Sequence, residues 1–169
     1  MDEIIIRQVA DSDIEAVEEI AVLAFSIHYD FYRQNMGEDL FYAIHKDWKE
    51  KKKRAVREAC LGKNGYDAFV AETGGKVVGF VTLWCDPETR CGILGNNSVD
   101  PACQGKGIGK RLYQVALDAM KEKGMKYARV DTGLGPTFAP ARRAYEQSGF
   151  NRQLQTVIYY KELYEPGEE

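Results

Sequence analysis

Apolar positions along this chain alternate between strand-like and helix-like spacing. Glu3 to Val9, rich in isoleucine, reads as a strand. Ser12-Asp13-Ile14-Glu15 has the spacing of a capping box, and Ile14, Val17, Ala21 and Ala24 then recur at helical period. An aromatic stretch follows, with Phe25, Tyr29, Phe31 and Tyr32. A second helix is predicted from about Glu38 to Cys60, its stripe formed by Phe41, Ile44, Trp48, Ala55 and Ala59, with Gly62 as its end. Asp67 to Glu72 and Lys76 to Trp84, joined through Thr73-Gly74-Gly75, read as a β-hairpin. Val77-Val78-Gly79-Phe80-Val81 does not alternate, which predicts a strand covered on both faces.

The second half predicts a strand from about Gly92 to Val99 and a third helix marked by Ile108, Leu112, Val115 and Ala119. A strand at Tyr127 to Asp131, a short helix at Pro140 to Ser148 and a terminal strand at Thr156 to Leu163 complete the set. Residues 1–164 therefore read as one α/β domain of the mixed α+β kind, a central sheet flanked by helices. The hairpin argues against a purely alternating βαβ arrangement. Glu165 to Glu169 is expected to be a disordered tail.

Composition narrows the functional classes. The chain is 44% hydrophobic and 29% charged, which fits a soluble globular domain. A net charge of −3 disfavours a dedicated nucleic-acid binder. The longest apolar run, Ile20 to Phe25, is far shorter than the ~20 residues of a membrane helix. The opening Met1-Asp2-Glu3 lacks the basic start of a secretory signal. Cys60, Cys85, Cys91 and Cys103 form no Cys-x-x-Cys pair, and His28 and His45 lie apart, so no metal site is expected. Reduced cysteines in a cytoplasmic protein are the simplest reading, without membrane or nucleic-acid partners.

Candidate chemistry concentrates between Val99 and Arg111. A strand ends, a loop with Gly105, Gly107 and Gly109 follows, and an amphipathic helix begins at once. Such a junction offers outward amides and the positive end of a helix dipole to an anion. Lys106, Lys110 and Arg111 add three cations, with no acid between Gln104 and Arg111. The dinucleotide fingerprint fails because Lys110 stands where its third glycine belongs. The Walker pattern fails because Arg111 follows Gly109-Lys110.

The spacing Gln104-Gly105-Lys106-Gly107-Ile108-Gly109 resembles the acyl-coenzyme A loop of the GCN5-related N-acetyltransferase (GNAT) superfamily. A second stretch, Ala141-Arg142-Arg143-Ala144-Tyr145-Glu146-Gln147-Ser148-Gly149-Phe150, resembles that superfamily's Ala-x-x-x-Tyr-x-x-x-Gly-Phe helix and turn. The element order matches over nearly the whole chain. The resemblance implies a mixed, mostly antiparallel sheet whose strands splay at an acetyl-CoA cleft. It implies that amides of Gln104, Gly105, Lys106, Gly107, Ile108 and Gly109, with Lys110 beside them, hold the pyrophosphate of acetyl-CoA. Amides near Val99 would hydrogen-bond the thioester carbonyl, and Tyr145 would protonate the leaving thiolate. The cosubstrate would be acetyl-CoA, with no metal, and transfer would go directly to an amine.

This chain departs from the family pattern at two places. Phe138 stands where many relatives carry Asn, and Ile93 to Ser98 lacks their glutamate general base. Asn96, Asn97 or Ser98 could order a water relay instead, or Asp131 or Glu72 could supply a carboxylate. The resemblance also makes Phe25, Tyr29, Phe31, Tyr32, Phe41 and Tyr42 an acceptor wall, with Glu38 or Asp39 available to an ammonium. Lys49 to Arg57 reads as a solvated basic face, and Cys103 as a neutral bystander. The favoured acceptor is a primary amine of a small molecule. A protein or peptide acetylase of N-termini or lysines and a non-catalytic acyl-CoA sensor are the alternatives. A homodimer is an admissible assembly.

Overall fold

The computed structural model describes residues 3–164. Five strands, β1 (Ile4–Gln8), β2 (Tyr66–Thr73), β3 (Lys76–Asp86), β4 (Cys91–Val99) and β5 (Tyr127–Val130), form one sheet in that order. The first four are antiparallel neighbours, and β5 joins β4 in parallel. Helices α1 (Ile14–Met36), α2 (Glu38–His45) and α3 (Trp48–Cys60) precede β2, α4 (Ile108–Glu122) links β4 to β5, and α5 (Ala139–Gln147) follows β5. A mixed, mostly antiparallel sheet flanked by helices is what the family resemblance implied, whereas the residue pattern alone predicted only a sheet with helices on it.

Apolar residues on both sheet faces explain this arrangement. One face of α4, with Ile108, Leu112, Ala116 and Met120, packs over Val81, Leu83 and Leu94. On the other face, Val17, Ile20 and Ala21 of α1 and Val56 of α3 pack over Val70 and Phe80. The middle of β3, from Val78 to Leu83, is buried throughout, which is why its sequence does not alternate. Positive φ at Gly74 and Gly75 closes the β2–β3 hairpin.

Two features place the site. Pairing between β4 and β5 runs only from Cys91↔Tyr127 to Leu94↔Val130, whereas β4 continues to Val99 along β3. Beyond Leu94 this pairing ends, while β4 runs on to Val99 with β3 on one side only, which leaves its other side open to the site. A register shift in the β3–β4 ladder falls at the same point, opposite Thr82. The Thr82 hydroxyl donates to the Asn96 carbonyl there, at 3.2 Å.

Three expectations are corrected. The single helix from Glu38 to Cys60 breaks at Lys46 and Asp47, setting His45 against Tyr32 and Trp48 flat on Tyr29, with ring centres 4.1 Å apart. Aromatic packing here overrides helical propensity. The start of α1 is secured by Asp13 rather than by Ser12 and Glu15. The Asp13 carboxylate accepts from the Ala10 amide at 2.7 Å and pairs with Arg7 at 2.6 Å. Finally, Thr156 to Leu163 forms no strand. Residues 151–164 run as irregular, exposed chain, because strand-forming side chains need a neighbouring strand and none pairs with them. The expected tail, 165–169, lies outside the described residues. Among those described, no helix is long and apolar enough to cross a membrane.

Candidate functional site

The glycine-rich loop leaves the open end of β4. The Asp100 side chain accepts from the Ala102 amide at 2.9 Å and starts a 3-10 turn, Pro101–Cys103. The Gln104 side-chain amide donates back to the Val99 carbonyl at 3.2 Å, pinning the loop to its strand. Gly105 and Gly107 have φ of +78° and +76°, and a Cβ on either would touch nothing. Backbone conformation, rather than crowding, requires glycine at both. Gly107 leads into α4, whose first turn has no side-chain cap and no acid. Ile108 buries its side chain in the core, so only its backbone faces the cleft entrance. Lys106, Lys110 and Arg111 are exposed around these amides. An anion would meet free N–H groups, a helix dipole and three cations.

Deeper in the cleft, Tyr145 of α5 is buried and its hydroxyl lies 3.3 Å from Asn97 Oδ1 on β4. Tyr113 of α4 donates to the same oxygen at 2.8 Å. Asn97 Nδ2 donates to the Gly95 carbonyl at 3.0 Å, which turns its amide oxygen toward the two phenols. Burial raises the pKa of both phenols, so both hold their protons at neutral pH. Arg142 anchors α5 by donating to the carbonyls of Gly133 and Gly135.

A second group of side chains gathers on α1, α3 and the turn before α5. His28 Nδ1 lies 3.2 Å from Thr137 Oγ1. Its ring stacks on Phe138 with centres 4.1 Å apart and takes the edge of Phe25. Lys52 places Nζ 2.9 Å from Asn96 Oδ1 and 3.8 Å from the centre of the Phe25 ring. Burial pulls the Lys52 pKa down to about 8. Burial first, and the Lys52 charge second, lower the His28 pKa below its ordinary value, so this imidazole is neutral at pH 7. Phe31, Tyr32 and Phe138 complete an aromatic wall. A Cβ on Gly133 would lie 2.7 Å from Phe138, so the loop after β5 packs tightly on this wall.

Consecutive asparagines of β4 therefore serve both groups, Asn96 toward Lys52 and Asn97 toward the tyrosines. Neither Tyr113 nor His28 nor Lys52 stood out as functional in the sequence. Lys52 sits four residues after Trp48 and four before Val56, on the buried stripe of α3. The expected solvated basic face holds at Lys49, Lys51, Lys53 and Arg54, all exposed, and at Arg57, which stays exposed while clasping Glu18 at 2.6 Å and 2.9 Å; Lys52 alone turns inward. His28 likewise continues the α1 stripe of Val17, Ala21 and Phe25.

The carboxylates named as possible bases are engaged elsewhere. Glu72 takes two hydrogen bonds from Arg7, and Asp131 is exposed beside Arg129. Glu38 and Asp39 are exposed on α2, where Glu38 faces Arg33 at 4.0 Å. Ser98 donates to the Asn97 carbonyl. Cys103 packs half-buried against the core. Among the described residues no three His, Cys, Asp or Glu side chains converge as metal ligands.

Residues 18–150 match the model of the acetyltransferase (GNAT) family, and the chain belongs to that family, an N-acetyltransferase class of enzyme. The mycothiol acetyltransferase of Thermomonospora curvata is 32% identical over 93 residues, 54% of this chain and 30% of that relative. The chain spans about a third or less of the length of the mycothiol acetyltransferases it matches. The PaiA N-acetyltransferase of Thermoplasma acidophilum, solved in complex with coenzyme A, superposes with a TM-score of 0.68 at 22% identity, covering 89% of this chain and 91% of that one. AAC(6')-Iy, solved in complex with the bisubstrate analogue CoA-S-monomethyl-acetylneamine, gives a TM-score of 0.65 at 17% identity, with 95% and 99% covered.

Proposed function

We propose that this chain transfers the acetyl group of acetyl-CoA directly to a primary amine of a small molecule. The observation that carries this reading is the pair of side-chain groups flanking β4: protonated tyrosines on Asn97, and Lys52 on Asn96 with a neutral histidine packed on the same Phe25 ring. Amides from Gln104 to Gly109, with Lys106 and Lys110, hold the pyrophosphate. Amides near Val99, at the open end of β4, polarise the thioester carbonyl. His28, its Nδ1 engaged by Thr137, accepts a proton from the acceptor ammonium through Nε2. The freed amine attacks the carbonyl carbon, the new C–N bond forms and the C–S bond breaks. Tyr145 gives its proton to the departing sulfur, the second proton of the attacking nitrogen passes through water to the resulting tyrosinate as the amide forms, and His28 releases its proton to solvent.

The acceptor side favours a small monoamine with an apolar body. Its wall is aromatic, and its one inward charge is the Lys52 ammonium, which repels polycations and basic peptides. Similar proteins include an aminoglycoside acetyltransferase and mycothiol acetyltransferases, which supports a small-molecule acceptor. Four free thiols support a cytoplasmic location.

Thiol release from acetyl-CoA, measured with an arylalkylamine, a linear polyamine, an aminoglycoside and a lysine-containing peptide, tests the proposal. The arylalkylamine should give the highest kcat/KM. A preferred peptide would replace the acceptor class with protein acetylation. Saturable coenzyme A binding without turnover on any acceptor would make the chain a sensor and overturn the enzymatic reading.

A further inference from the structure

The buried carboxylates of this fold are matched by cations, but its inward cation has no anion. Asp13 and Glu18 are both buried, and Arg7 and Arg57 hold them. Lys52 makes no ion pair among the described residues. Its ammonium meets the amide oxygen of Asn96 at 2.9 Å and the face of Phe25. Burial alone lowers its pKa to about 8, with no carboxylate near enough to oppose the shift, so the group is still mostly charged at pH 7. A desolvated cation without an anion is costly to hold, and a ligand that brings the anion offsets that cost.

Asn96 narrows the kind of anion. An ammonium only donates, so the amide oxygen is the atom turned to Lys52. Asn96 Nδ2 is left without a protein acceptor among the described residues. Lys52 Nζ and Asn96 Nδ2 together offer one positive charge and a neighbouring N–H, which matches a carboxylate. A phosphate, at about −1.5 to −2, calls for more positive charge than this.

The amine end lies close by. His28 turns Nδ1 to Thr137, which leaves Nε2 as its free nitrogen. Phe25 bridges the two groups, with its ring centre 5.7 Å from that of His28 and 3.8 Å from Lys52 Nζ. The imidazole centre and the ammonium are thus less than roughly 10 Å apart. An α-amino acid, with about 3 Å between nitrogen and carboxylate oxygen and hydrogen bonds of about 3 Å at each end, can meet both. Lys52, Asn96 and His28 are each partly exposed, so a ligand reaches them.

We propose that the acceptor is an amino acid with an aromatic side chain: its carboxylate sits on Lys52 Nζ and Asn96 Nδ2, its amine at His28 Nε2, and its ring against Phe31 and Tyr32. The inference rests on the acetyl-transfer reading of the same site. The bonds made and broken are the same, and the product is an N-acetyl amino acid. The carboxylate also removes an obstacle to that step, because the Lys52 charge repels the incoming ammonium until an anion lies beside it.

Phenylalanine and phenethylamine differ only in the carboxylate, so the ratio of their kcat/KM values isolates it. Phenylalanine should be favoured about 10- to 100-fold, the worth of hydrogen bonds between charged groups. Lys52→Met should abolish that preference, chiefly through the KM for phenylalanine, and Lys52→Arg should restore part of it. Far-UV circular dichroism of both variants is the control for folding. Titration calorimetry with N-acetylphenylalanine and N-acetylphenethylamine, in the presence of coenzyme A, reads the same preference from binding alone. Equal values for the two acceptors, or a preference that persists in Lys52→Met, overturns the proposal. Turnover of phenethylamine alone would keep acetyl transfer and reject the carboxylate site. Selective binding of N-acetylphenylalanine, without turnover of either amine, would keep the carboxylate site and reject the transfer reading.

Discussion

The two sides of the cleft are built by opposite means. The cofactor side, Gln104 to Arg111, is exposed backbone with no buried polar side chain; its chemistry lies in positive φ at two glycines and in uncapped amides. The proposed acceptor side is made of side chains: His28, Lys52 and Phe138, packed among rings, with the acidity of His28 and Lys52 shifted by burial. Backbone chemistry tolerates change at most side chains but not at its glycines, whereas side-chain chemistry fails when one group is removed. Substitutions on the two sides should therefore separate cosubstrate affinity from turnover.

The largest effect is expected at His28. His28→Ala should lower kcat/KM for the amine about 10²- to 10³-fold, the usual worth of a general base, with acetyl-CoA affinity unchanged. The deficit should shrink as pH rises toward the amine's own pKa, because the acceptor then arrives already neutral. A deficit constant with pH would show that His28 only packs.

Tyr145→Phe comes next. The ring remains between Tyr113 and Phe150, so the fold is kept while the hydroxyl near Asn97 is lost. A fall of about 10- to 100-fold in kcat, with acetyl-CoA affinity intact, is expected for an acid assisting a thiolate that can leave unaided. Unaltered kcat across pH would remove Tyr145 from the chemistry.

On the cofactor side, Gly107→Ala should act through the backbone alone. No neighbour would clash with the added methyl, but φ of +76° is strained for alanine. A cost of about 1 kcal/mol converts to roughly a five-fold weaker acetyl-CoA affinity, with the amine KM unmoved. Titration calorimetry with coenzyme A measures the first and steady-state kinetics the second.

This division also explains what could be read in the sequence. Glycine spacing between a strand and a helix is local, so Gln104 to Gly109 and the Tyr145 helix could be named from neighbouring residues. The acceptor side is assembled from positions 28, 52 and 138, which no window along the chain contains. The family resemblance marked Phe138 and the aromatic wall, but His28 has the spacing of an ordinary stripe residue, and the basic run around Lys52 conceals the one lysine of that run that turns inward. Glu72 and Asp131 were plausible bases only while Arg7 and Arg129 were not yet known to hold them. The terminal strand differs for a related reason, since strand propensity does not supply the neighbouring strand that 156–163 needs.

Lys52 gives the finest test of the contrast, because its charge acts without touching the reacting proton. Its folded pKa of about 8 lies below the ordinary lysine value, so burial disfavours the charged form. Between pH 8 and the ordinary value the unfolded chain binds more protons at this site than the folded one. Stability from this group therefore rises with pH across that window, and the penalty is fully present below it. Lys52→Met should abolish this rise and, by removing a buried charge, raise Tm at pH 7. It should also shift the acid limb of kcat/KM to higher pH, since the charge that helps keep His28 neutral is gone. The shift should be small, because burial remains the larger cause. An acid limb that stays in place while Tm changes would confine Lys52 to stability and leave the acidity of His28 to its aromatic surroundings.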